Sequence, residues 1–459
     1  MLIAGLSGAQ LLALWHVGLA EALLLVALVV AINGLDDLAV DLAWLVMPRR
    51  VQGPAPPPAV APPAEPPHFA ILVPAWDEAA VIGAMLRRLL GTQEWPAYHV
   101  FVGLYPNDPD SQAAVAAIND SRLTAVIGPR PGPTTKADCL NSLWQAMLAH
   151  EQGSGQAFAA IVLHDAEDLA HPRALASFAR HIGDHAMVQL PVLPLAEAAS
   201  PLIAGHYIDE FAESHAKELP VRQWLGAAVP AAGVGVAIDR AMLGRIAASR
   251  GGAPFDALSL TEDYELGQHI HRLGGAALIL WDWQDGAPVG TAEHFPATWE
   301  AAVRQKARWL TGIALAGWDR LGWQGPAAQR WMLLRDRKAP LMALVTLLAY
   351  GLVLLLGIDA LLRQWSPEAA RLPPVAGRGT ILLLWLNWAL LCWRLGWRIF
   401  FTARLRGPTE ALWATPRALV GNLINAAAAL RALSRYRAAL QAGRPPAWEK
   451  TRHRFPEAG

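Results

Sequence analysis

Three short stretches of the chain carry side chains that together could do chemistry. The first is Asp165-Ala166-Glu167-Asp168, which follows the apolar run at 157–163 and His164. Carboxylates at the end of a buried strand are costly to desolvate unless a cation lies among them. Carboxylates that leave room for water suit Mg²⁺ or Mn²⁺, and such an ion can neutralise a diphosphate. The stretch therefore predicts a divalent-metal site, with a solvated loop as the alternative.

The second stretch, SLTEDYELGQHIHRLG, spans residues 259–274. Thr261 is positioned to cap a helix whose first turn carries Glu262 and Asp263. Acidic residues in a first turn also interact favourably with the helix dipole. By themselves these residues fit either a stabilised helix N-terminus or a pair of carboxylates that take part in chemistry.

The third stretch, RQKARWLTG, spans residues 304–312. Gln305, Arg308 and Trp309 have helical i, i+3 and i+4 spacing, so one face presents an amide, a guanidinium and an indole. Arginine suits a phosphate pair and tryptophan suits stacking on a sugar ring. An amphipathic helix lying on a membrane is the alternative, and the two interpretations are compatible.

Strands and helices alternate in the region that must position these stretches. Strands are predicted at 68–74, 98–105, 123–128, 157–163 and 187–194, with helical patterns between them. This alternation is typical of a mostly parallel sheet with helices on both faces. Ligands bind beyond the carboxyl ends of strands in such sheets, and the acidic cluster at 165–168 lies at one of these ends.

The composition indicates a membrane protein. The 459 residues are 54% hydrophobic and only 17% charged, which is too apolar for an ordinary soluble protein. Lys plus Arg and Asp plus Glu balance at 38 each, so net charge gives no indication of nucleic-acid binding. Two distant cysteines, Cys139 and Cys392, offer neither a disulfide framework nor a zinc spacing.

Three apolar runs are long enough to cross a bilayer. They lie at 11–35, 339–362 and 381–401. Basic residues cluster at 49–50, 330–338 and 404–406. The positive-inside rule therefore predicts that residues 49–338 and the C-terminal tail are cytoplasmic and that the N-terminus is outside. A helix around 412–433 is predicted to lie in the membrane interface, with a fourth span as the alternative.

The order of these motifs resembles a known family. D-x-[DE] at 165–167, T-E-D at 261–263 and Q-x-x-R-W at 305–309, followed by apolar spans, resemble the membrane-bound, processive family 2 glycosyltransferases. The phrases IVLHDAEDLAHP and YPNDPDS and the tail motif PAWEKTRHRFP resemble the bacterial phage-adsorption protein B family in particular. The resemblance covers nearly the whole chain.

The resemblance implies an α/β, GT-A-like domain, Rossmann-like with a mostly parallel sheet, attached to an α-helical transmembrane region. The chain then divides into 1–50, an N-terminal transmembrane helix and an interfacial helix; 51–67, a Pro-rich linker; 68–297, the GT-A domain; 298–338, amphipathic interface helices; 339–406, two transmembrane helices; and 407–459, an interfacial helix and a cytoplasmic tail.

The resemblance also implies roles for the acidic residues. Asp165 and Glu167 would hold Mg²⁺ or Mn²⁺ on the donor diphosphate, and Asp168 could assist. The choice between Glu167 and Asp168 as the second ligand stays open, with Glu167 favoured. Asp263 matches the catalytic base, with Glu262 beside it.

Further contacts are implied for the nucleotide and the acceptor. The implied nucleotide contacts are Pro74, Asp77, Glu78, Asp108, Asp110 and Lys136. Gln305, Arg308 and Trp309 would touch the diphosphate and the acceptor end. The chain departs from the family pattern at the nucleotide: the segment at 74–78 is one residue longer than P-x-[ND]-E, and Thr135 replaces the glycine of G-K-x-x-x-L-N.

The implied function is inverting transfer from a nucleotide diphosphate sugar, a UDP-sugar, to build a cell-surface or exported polysaccharide. The protein would be multi-pass in the bacterial inner membrane, with a cytoplasmic catalytic domain. Its partners would be the donor, a glycan or lipid acceptor, the bilayer, and export or outer-membrane proteins or further copies of itself, but no nucleic acid. The alternatives are a non-processive transferase onto a lipid or polyprenyl phosphate, and a catalytically silent membrane scaffold or phage-adsorption component.

Overall fold

The computed structural model describes residues 7–48, 65–444 and 454–455. Most of the predicted Pro-rich linker at 51–67 and of the tail beyond 444 lies outside these residues.

Twelve strands form three sheets in the described part of the chain. They are β1 Phe69–Pro74, β2 Tyr98–Leu104, β3 Leu123–Ile127, β4 Ala160–Leu163, β5 Leu169–Ala170, β6 Met187–Gln189, β7 Val192–Pro194, β8 Val236–Asp239, β9 Ala277–Ile279, β10 Asp282–Gln284, β11 Ala287–Val289 and β12 Thr291–Glu293. The main sheet has the order β3-β2-β1-β4-β8-β6-β9, and only β8 runs antiparallel to its neighbours. The predicted mostly parallel sheet is confirmed.

The predicted strand at 187–194 is wrong as a single element. The chain leaves the main sheet after β6, and β7 joins a small sheet of order β5-β12-β7. The break falls at Leu190-Pro191, where proline has no N–H to donate to a ladder. At this break the side chain of Gln189, the last residue of β6, contacts the loop that precedes β8.

The described helices are α1 Gly8–Val46, α2 Ile82–Thr92, α3 Pro109–Ala116, α4 Lys136–Ser154, α5 Ala174–Ala179, α6 Gly205–Glu213, α7 Leu219–Trp224, α8 Arg240–Ser249, α9 Glu262–Arg272, α10 Trp299–Leu310, α11 Gly317–Leu321, α12 Ala327–Trp365, α13 Pro367–Ala370, α14 Arg378–Arg406, α15 Pro408–Ala411 and α16 Ala414–Ala442. Two π-helical turns, Ser214–Glu218 and Thr311–Ala316, join α6 to α7 and α10 to α11. The sheet lies between two helical layers, because alternate residues of β1 enter separate apolar clusters, one with α2 and one with α4 and α8.

Helices α1, α12 and α14 are long and apolar enough to cross a membrane, as predicted. The sequence predicted a separate interfacial helix after the first span, but α1 is continuous to Val46. The acidic residues of its last turns pair with basic residues of other helices, which explains the continuity. Asp36 contacts Arg335 and Lys338, and Asp41 lies 2.5 Å from the ammonium of Lys217. Similarly, α12 runs without a break across the predicted boundary at 338/339.

Helix α16 has one face of small side chains and one of leucines. Ala428 and Ala432 pack against Ala307 of α10, whereas Leu423, Leu430 and other leucines of the same face are exposed. An exposed leucine face next to membrane-spanning helices is expected to contact lipid. The interfacial placement of this helix therefore remains our expectation.

This expectation can be tested by lipid-depth quenching. In a Cys392→Ser background, a fluorophore on Leu430→Cys should be quenched by spin-labelled lipids in nanodiscs, because Leu430 is exposed on the leucine face of α16. The same fluorophore on Ala117→Cys, an exposed position beside α3, should not be quenched. Equal, weak quenching at both positions would contradict an interfacial α16.

Candidate functional site

The acidic stretch after β4 forms a compact turn held by Asp168. One oxygen of Asp168, Oδ2, accepts from the backbone N–H of Asp165 (3.0 Å) and lies 2.9 Å from Nδ1 of His164. Asp168 and His164 are both buried, as is Glu167, whereas the side chain of Asp165 is 31% exposed. Asp168 therefore organises the turn, and Asp165 is the carboxylate nearest the open side.

The turn carries excess negative charge. Burial and the neighbouring carboxylates of Asp165 and Glu167 raise the pKa of Asp168 well above its usual value. Its second oxygen, Oδ1, is buried and has no hydrogen-bond partner among the described residues. A buried carboxylate in this state is the environment that a divalent cation stabilises.

The described residues hold no group of three His, Cys, Asp or Glu side chains arranged to bind a metal by themselves. Mg²⁺ is commonly held by one or two carboxylates, with water and substrate phosphates completing its shell. The donor set of Asp165 and Glu167, with the orphaned oxygen of Asp168 beside it, fits an ion of this kind.

Lys136 connects the acidic turn to the rest of the site. Its ammonium lies 2.5 Å from Oδ1 of Asp165 and donates to the carbonyl of Gly233 at 3.2 Å. Burial lowers the pKa of Lys136, but the carboxylates of Asp165 and Glu262 outweigh burial and raise the pKa above its ordinary value. Lys136 is therefore a fixed positive charge between the turn and α9.

The backbone around Lys136 is anchored at both ends. Thr135 caps α4 by accepting from the N–H of Asp138 (3.1 Å) and donates to the carbonyl of Ala257 (2.7 Å). Asn141, one turn later, exchanges two hydrogen bonds with the backbone of Phe255 (2.8 and 3.0 Å). The departure from the family's glycine at Thr135 thus supplies a helix cap, which fixes the start of α4.

Asp263 lies in the first turn of α9, against a glycine loop. Gly233 has φ +81°, and a Cβ at this position would come within 2.6 Å of Oδ2 of Asp263. The side-chain amide of Gln189, at the end of β6, donates to the carbonyls of Leu190, Val234 and Gly235 and accepts from the N–H of Ala232. This buried amide holds the loop against Asp263.

The two carboxylates of α9 are electrostatically perturbed. Burial raises the pKa of both Glu262 and Asp263, while Lys136 and Arg308 act in the opposite direction. A carboxylate whose pKa is raised toward neutrality is a stronger base once it is deprotonated. Burial therefore makes the carboxylate of Asp263 more basic than that of an exposed aspartate.

Thr261 does not cap α9 with its side chain, so that expectation is wrong. Its hydroxyl is buried without a hydrogen-bond partner among the described residues and packs against Gly312, where a Cβ would lie 2.5 Å away. The T-E-D segment and the end of the Q-x-x-R-W helix are therefore in direct contact, and only a glycine at 312 leaves room for it.

Gln305, Arg308 and Trp309 lie on one side of α10, as predicted. Oε1 of Gln305 and Nε of Arg308 are buried and have no hydrogen-bond partner within the described ranges. Trp309 packs edge-on against the ring of Tyr207, with 6.2 Å between centroids. Of these three side chains, Arg308 acts electrostatically on Glu262 and Asp263 of α9.

The predicted nucleotide contacts at 77–78 and 108 are joined to one another, whereas Asp110 stands apart. Asp77 has φ +53°, and its N–H donates to Oδ2 of Asp108 at 2.6 Å. Asp108 is buried and also caps α3, so it braces the segment that ends in Glu78. Asp110, in contrast, is exposed in the first turn of α3.

The extra residue in the 74–78 segment places an aromatic ring at this end of the sheet. Trp76 packs edge-on against Tyr105, with centroids 5.0 Å apart, and a Cβ at Gly132 would overlap its ring. Asn107 holds Gly132 in place through two backbone hydrogen bonds (2.7 and 2.8 Å). The longer 74–78 segment therefore forms an aromatic wall of Trp76 and Tyr105.

Sequence reasoning missed Gln189, Gly233 and Trp76. A signal for Gln189 was present, because it is the polar residue inside the apolar run at 187–194. For Gly233 the signal was weak, since Gly-Val-Gly does not indicate which side chain approaches it. The position of Trp76 depends on its contacts with Tyr105 and Gly132, which are distant in sequence and give no local pattern.

Comparisons with known proteins identify the family of the chain. Residues 66–312, more than half of the chain, match the family described as glycosyltransferase like family 2. Bacteriophage adsorption protein B of Escherichia coli (strain K12) and bacteriophage N4 adsorption protein B of Escherichia coli O157:H7 are each 35% identical over 97% of this chain. The chain spans 63% of the length of these relatives.

One solved structure has a comparable fold. A mannosyltransferase from Pyrobaculum calidifontis, in complex with GDP-Man and Mn²⁺, superposes with a TM-score of 0.51 at 19% identity, covering 90% of this chain and 99% of that one. The predicted GT-A-like fold is confirmed. The chain belongs to glycosyltransferase family 2.

The contact between Gly233 and Asp263 generates a prediction. Gly233→Ala should cost about 1 kcal/mol or more in stability because of its positive φ. It should also lower turnover roughly tenfold or more, because the new methyl displaces the carboxylate of Asp263.

Gly226→Ala is the matched control, because Gly226 also has a positive φ, +68°, but its Cβ would meet nothing within 4 Å. Unfolding midpoints and nucleotide release from the donor should be measured for both variants. Equal turnover in the two variants would show that the loop does not position Asp263.

Proposed function

We propose that this family 2 glycosyltransferase transfers a sugar, with inversion, from a nucleoside diphosphate donor to an acceptor hydroxyl. One observation carries the proposal: a single ammonium joins the candidate metal carboxylate to the loop that holds the candidate base. Lys136 contacts Asp165 on one side and Gly233 on the other, and Gly233 lies against Asp263. A diphosphate bound at this ammonium would have its sugar beside the base.

Asp263 would take the proton of the acceptor hydroxyl as that oxygen attacks the anomeric carbon. The diphosphate leaves on the opposite side of the sugar, and its developing charge requires cations or donors already in place. Lys136 and the unpartnered Nε of Arg308 are positioned to supply them. Mg²⁺ or Mn²⁺ held by Asp165 and Glu167 would neutralise further charge on the diphosphate.

The donor would be a UDP-sugar, bound between the 74–78 segment and Lys136. Pro74, Asp77 and Glu78 would form the nucleotide side, and Asp108 would act through the N–H of Asp77 that it holds. Asp110 would contribute only from the exposed rim.

The acceptor would reach the site from the membrane side, as expected for the synthesis of a cell-surface or exported polysaccharide. Tyr264, next to the candidate base, donates to Asp336 of α12 at 2.8 Å, and Arg222 pairs with the same carboxylate at 2.6 Å. An acceptor on this side of α9 would therefore lie next to the long helix α12. The distribution of basic residues supports a bacterial inner-membrane protein with its catalytic domain in the cytoplasm.

A lipid or polyprenyl phosphate acceptor is a second candidate, supported by α16. The alanine face of this helix packs against α10, because Ala428 and Ala432 contact Ala307, the neighbour of Arg308, while its leucine face stays exposed. A lipid-borne acceptor could approach Arg308 along this helix. Export of a polymer would instead require partner proteins or further copies of the chain, since the described residues contain three candidate spans.

Asp263→Asn should abolish transfer while leaving donor binding intact, because the change preserves shape and removes the base. We expect a loss of roughly 100-fold or more in release of UDP or GDP from a panel of nucleotide sugars with Mg²⁺ or Mn²⁺. Asp184→Asn, an exposed carboxylate in the same domain, is the control and should retain activity.

Near-full activity of Asp263→Asn would rule out the assigned base. A ladder of product sizes supports polymer synthesis, whereas one lipid-linked sugar supports the second candidate. Failure of the wild-type protein to transfer or hydrolyse any donor would favour a silent scaffold.

A further inference from the structure

We propose that Lys136 is the resident counter-ion of the acidic site, which competes with the divalent ion for Asp165 and moves to the diphosphate when donor and metal bind. The inference rests on the proposed function, because it assumes that metal and diphosphate share this site. It adds to that function a dependence of metal binding on the donor: the affinity for the metal is low without the donor and high when the donor binds with it.

The position of the ammonium supports competition. Lys136 lies 2.5 Å from the carboxylate of Asp165, whose side chain is the most exposed of the acidic turn at 31%, while Glu167 and Asp168 are buried. A cation entering from solvent would therefore meet Asp165 first and find an ammonium on it. While the ammonium stays at that oxygen, its charge repels Mg²⁺ or Mn²⁺ and it occupies one of the sites at which the carboxylate could bind the ion.

The charge balance explains why a counter-ion is needed. Four carboxylates besides Asp165 lie in this part of the site, in Glu167, Asp168, Glu262 and Asp263. Buried carboxylates without a compensating cation are strongly destabilising. Lys136 supplies part of the compensation in the protein without ligand and so holds the turn and α9 together.

The side chain of Lys136 is suited to changing partners. The backbone at its base is fixed by the cap of Thr135 and by the hydrogen bonds of Asn141. Rotation about the bonds of its four-carbon side chain can nevertheless move the ammonium. An ammonium is a compact charge that accepts anionic partners from many directions. Metal alone would displace the ammonium from Asp165 and leave it with the carbonyl of Gly233 as its hydrogen-bond partner. Metal with a diphosphate displaces it and gives it a new anionic partner.

The first test measures Mn²⁺ binding without any nucleotide. Lys136→Met should bind Mn²⁺ roughly tenfold more tightly than wild type, because the competing charge is gone. Affinity is read from the paramagnetic resonance signal of free Mn²⁺ in detergent-purified protein. Lys136→Arg, which keeps the positive charge, is the control and should not bind more tightly than wild type.

Asp165→Asn distinguishes a failure of the metal assignment from a failure of the counter-ion proposal. If it leaves Mn²⁺ binding unchanged, the metal assignment in the proposed function fails. If Asp165→Asn weakens binding but Lys136→Met binds no more tightly than wild type, the counter-ion proposal is overturned and the metal assignment stands.

A second measurement uses the wild-type protein, in case the Met variant does not fold. Acetylation of Lys136 by acetic anhydride, followed by mass spectrometry, should be faster with Mn²⁺ than without it. Adding UDP with Mn²⁺ should slow it again, as the ammonium pairs with the diphosphate. Lys306, buried and paired with Glu210 at 2.5 Å, is the internal control and should not respond. Labelling of Lys136 that is unchanged by Mn²⁺ would overturn the proposal.

Discussion

The structure depends on one constraint: negative charge gathered in a largely buried place must be neutralised. Five carboxylates lie around the end of β4 and the start of α9, and the cations that act on them are Lys136 and Arg308. Folding alone would gain nothing from this arrangement, since well-packed apolar side chains would be less costly. We interpret the arrangement as a binding site in which a ligand completes the neutralisation of these carboxylates.

The surrounding fold fixes the few contacts that this charge cluster requires. Gln189 holds the loop of Gly233, and Thr135 and Asn141 hold the base of Lys136. The same site is tied to the membrane region through α9. Besides the hydrogen bond from Tyr264 to Asp336, Gln268 accepts from Gln329 of α12 at 2.6 Å. A shift of α12 would therefore be transmitted directly to the helix that carries Asp263.

Much of this could be predicted from the sequence, because the features are local. The alternation of strands and helices, the three apolar runs and the helical spacing of Gln305, Arg308 and Trp309 all depend on neighbouring residues, and the structure contains them. Features that depend on distant contacts were missed. The continuity of α1 requires partners such as Arg335, about 300 residues away. The role of Gln189 requires a loop that closes only in the folded sheet.

The roles of Asp108 and Asp168 illustrate the same limit. Both are acidic residues in motif-like positions; their ligand contacts stay predictions, and the sequence did not indicate that each also holds a backbone N–H. In the fold, Asp108 accepts from the N–H of Asp77, and Asp168 accepts from the N–H of Asp165. Residue type alone cannot distinguish a carboxylate that binds a ligand from one that holds the neighbouring backbone in place.

The most direct test of the central claim is the linkage between metal and nucleotide binding. Titration calorimetry of UDP and of GDP should be performed on wild type and Asp165→Asn, with and without Mn²⁺. At least one nucleotide should bind wild type roughly tenfold more tightly with Mn²⁺, and Asp165→Asn should lose this gain. If neither nucleotide binds wild type more tightly with Mn²⁺, the acidic turn is not a site for a metal-bound diphosphate, and the account is wrong.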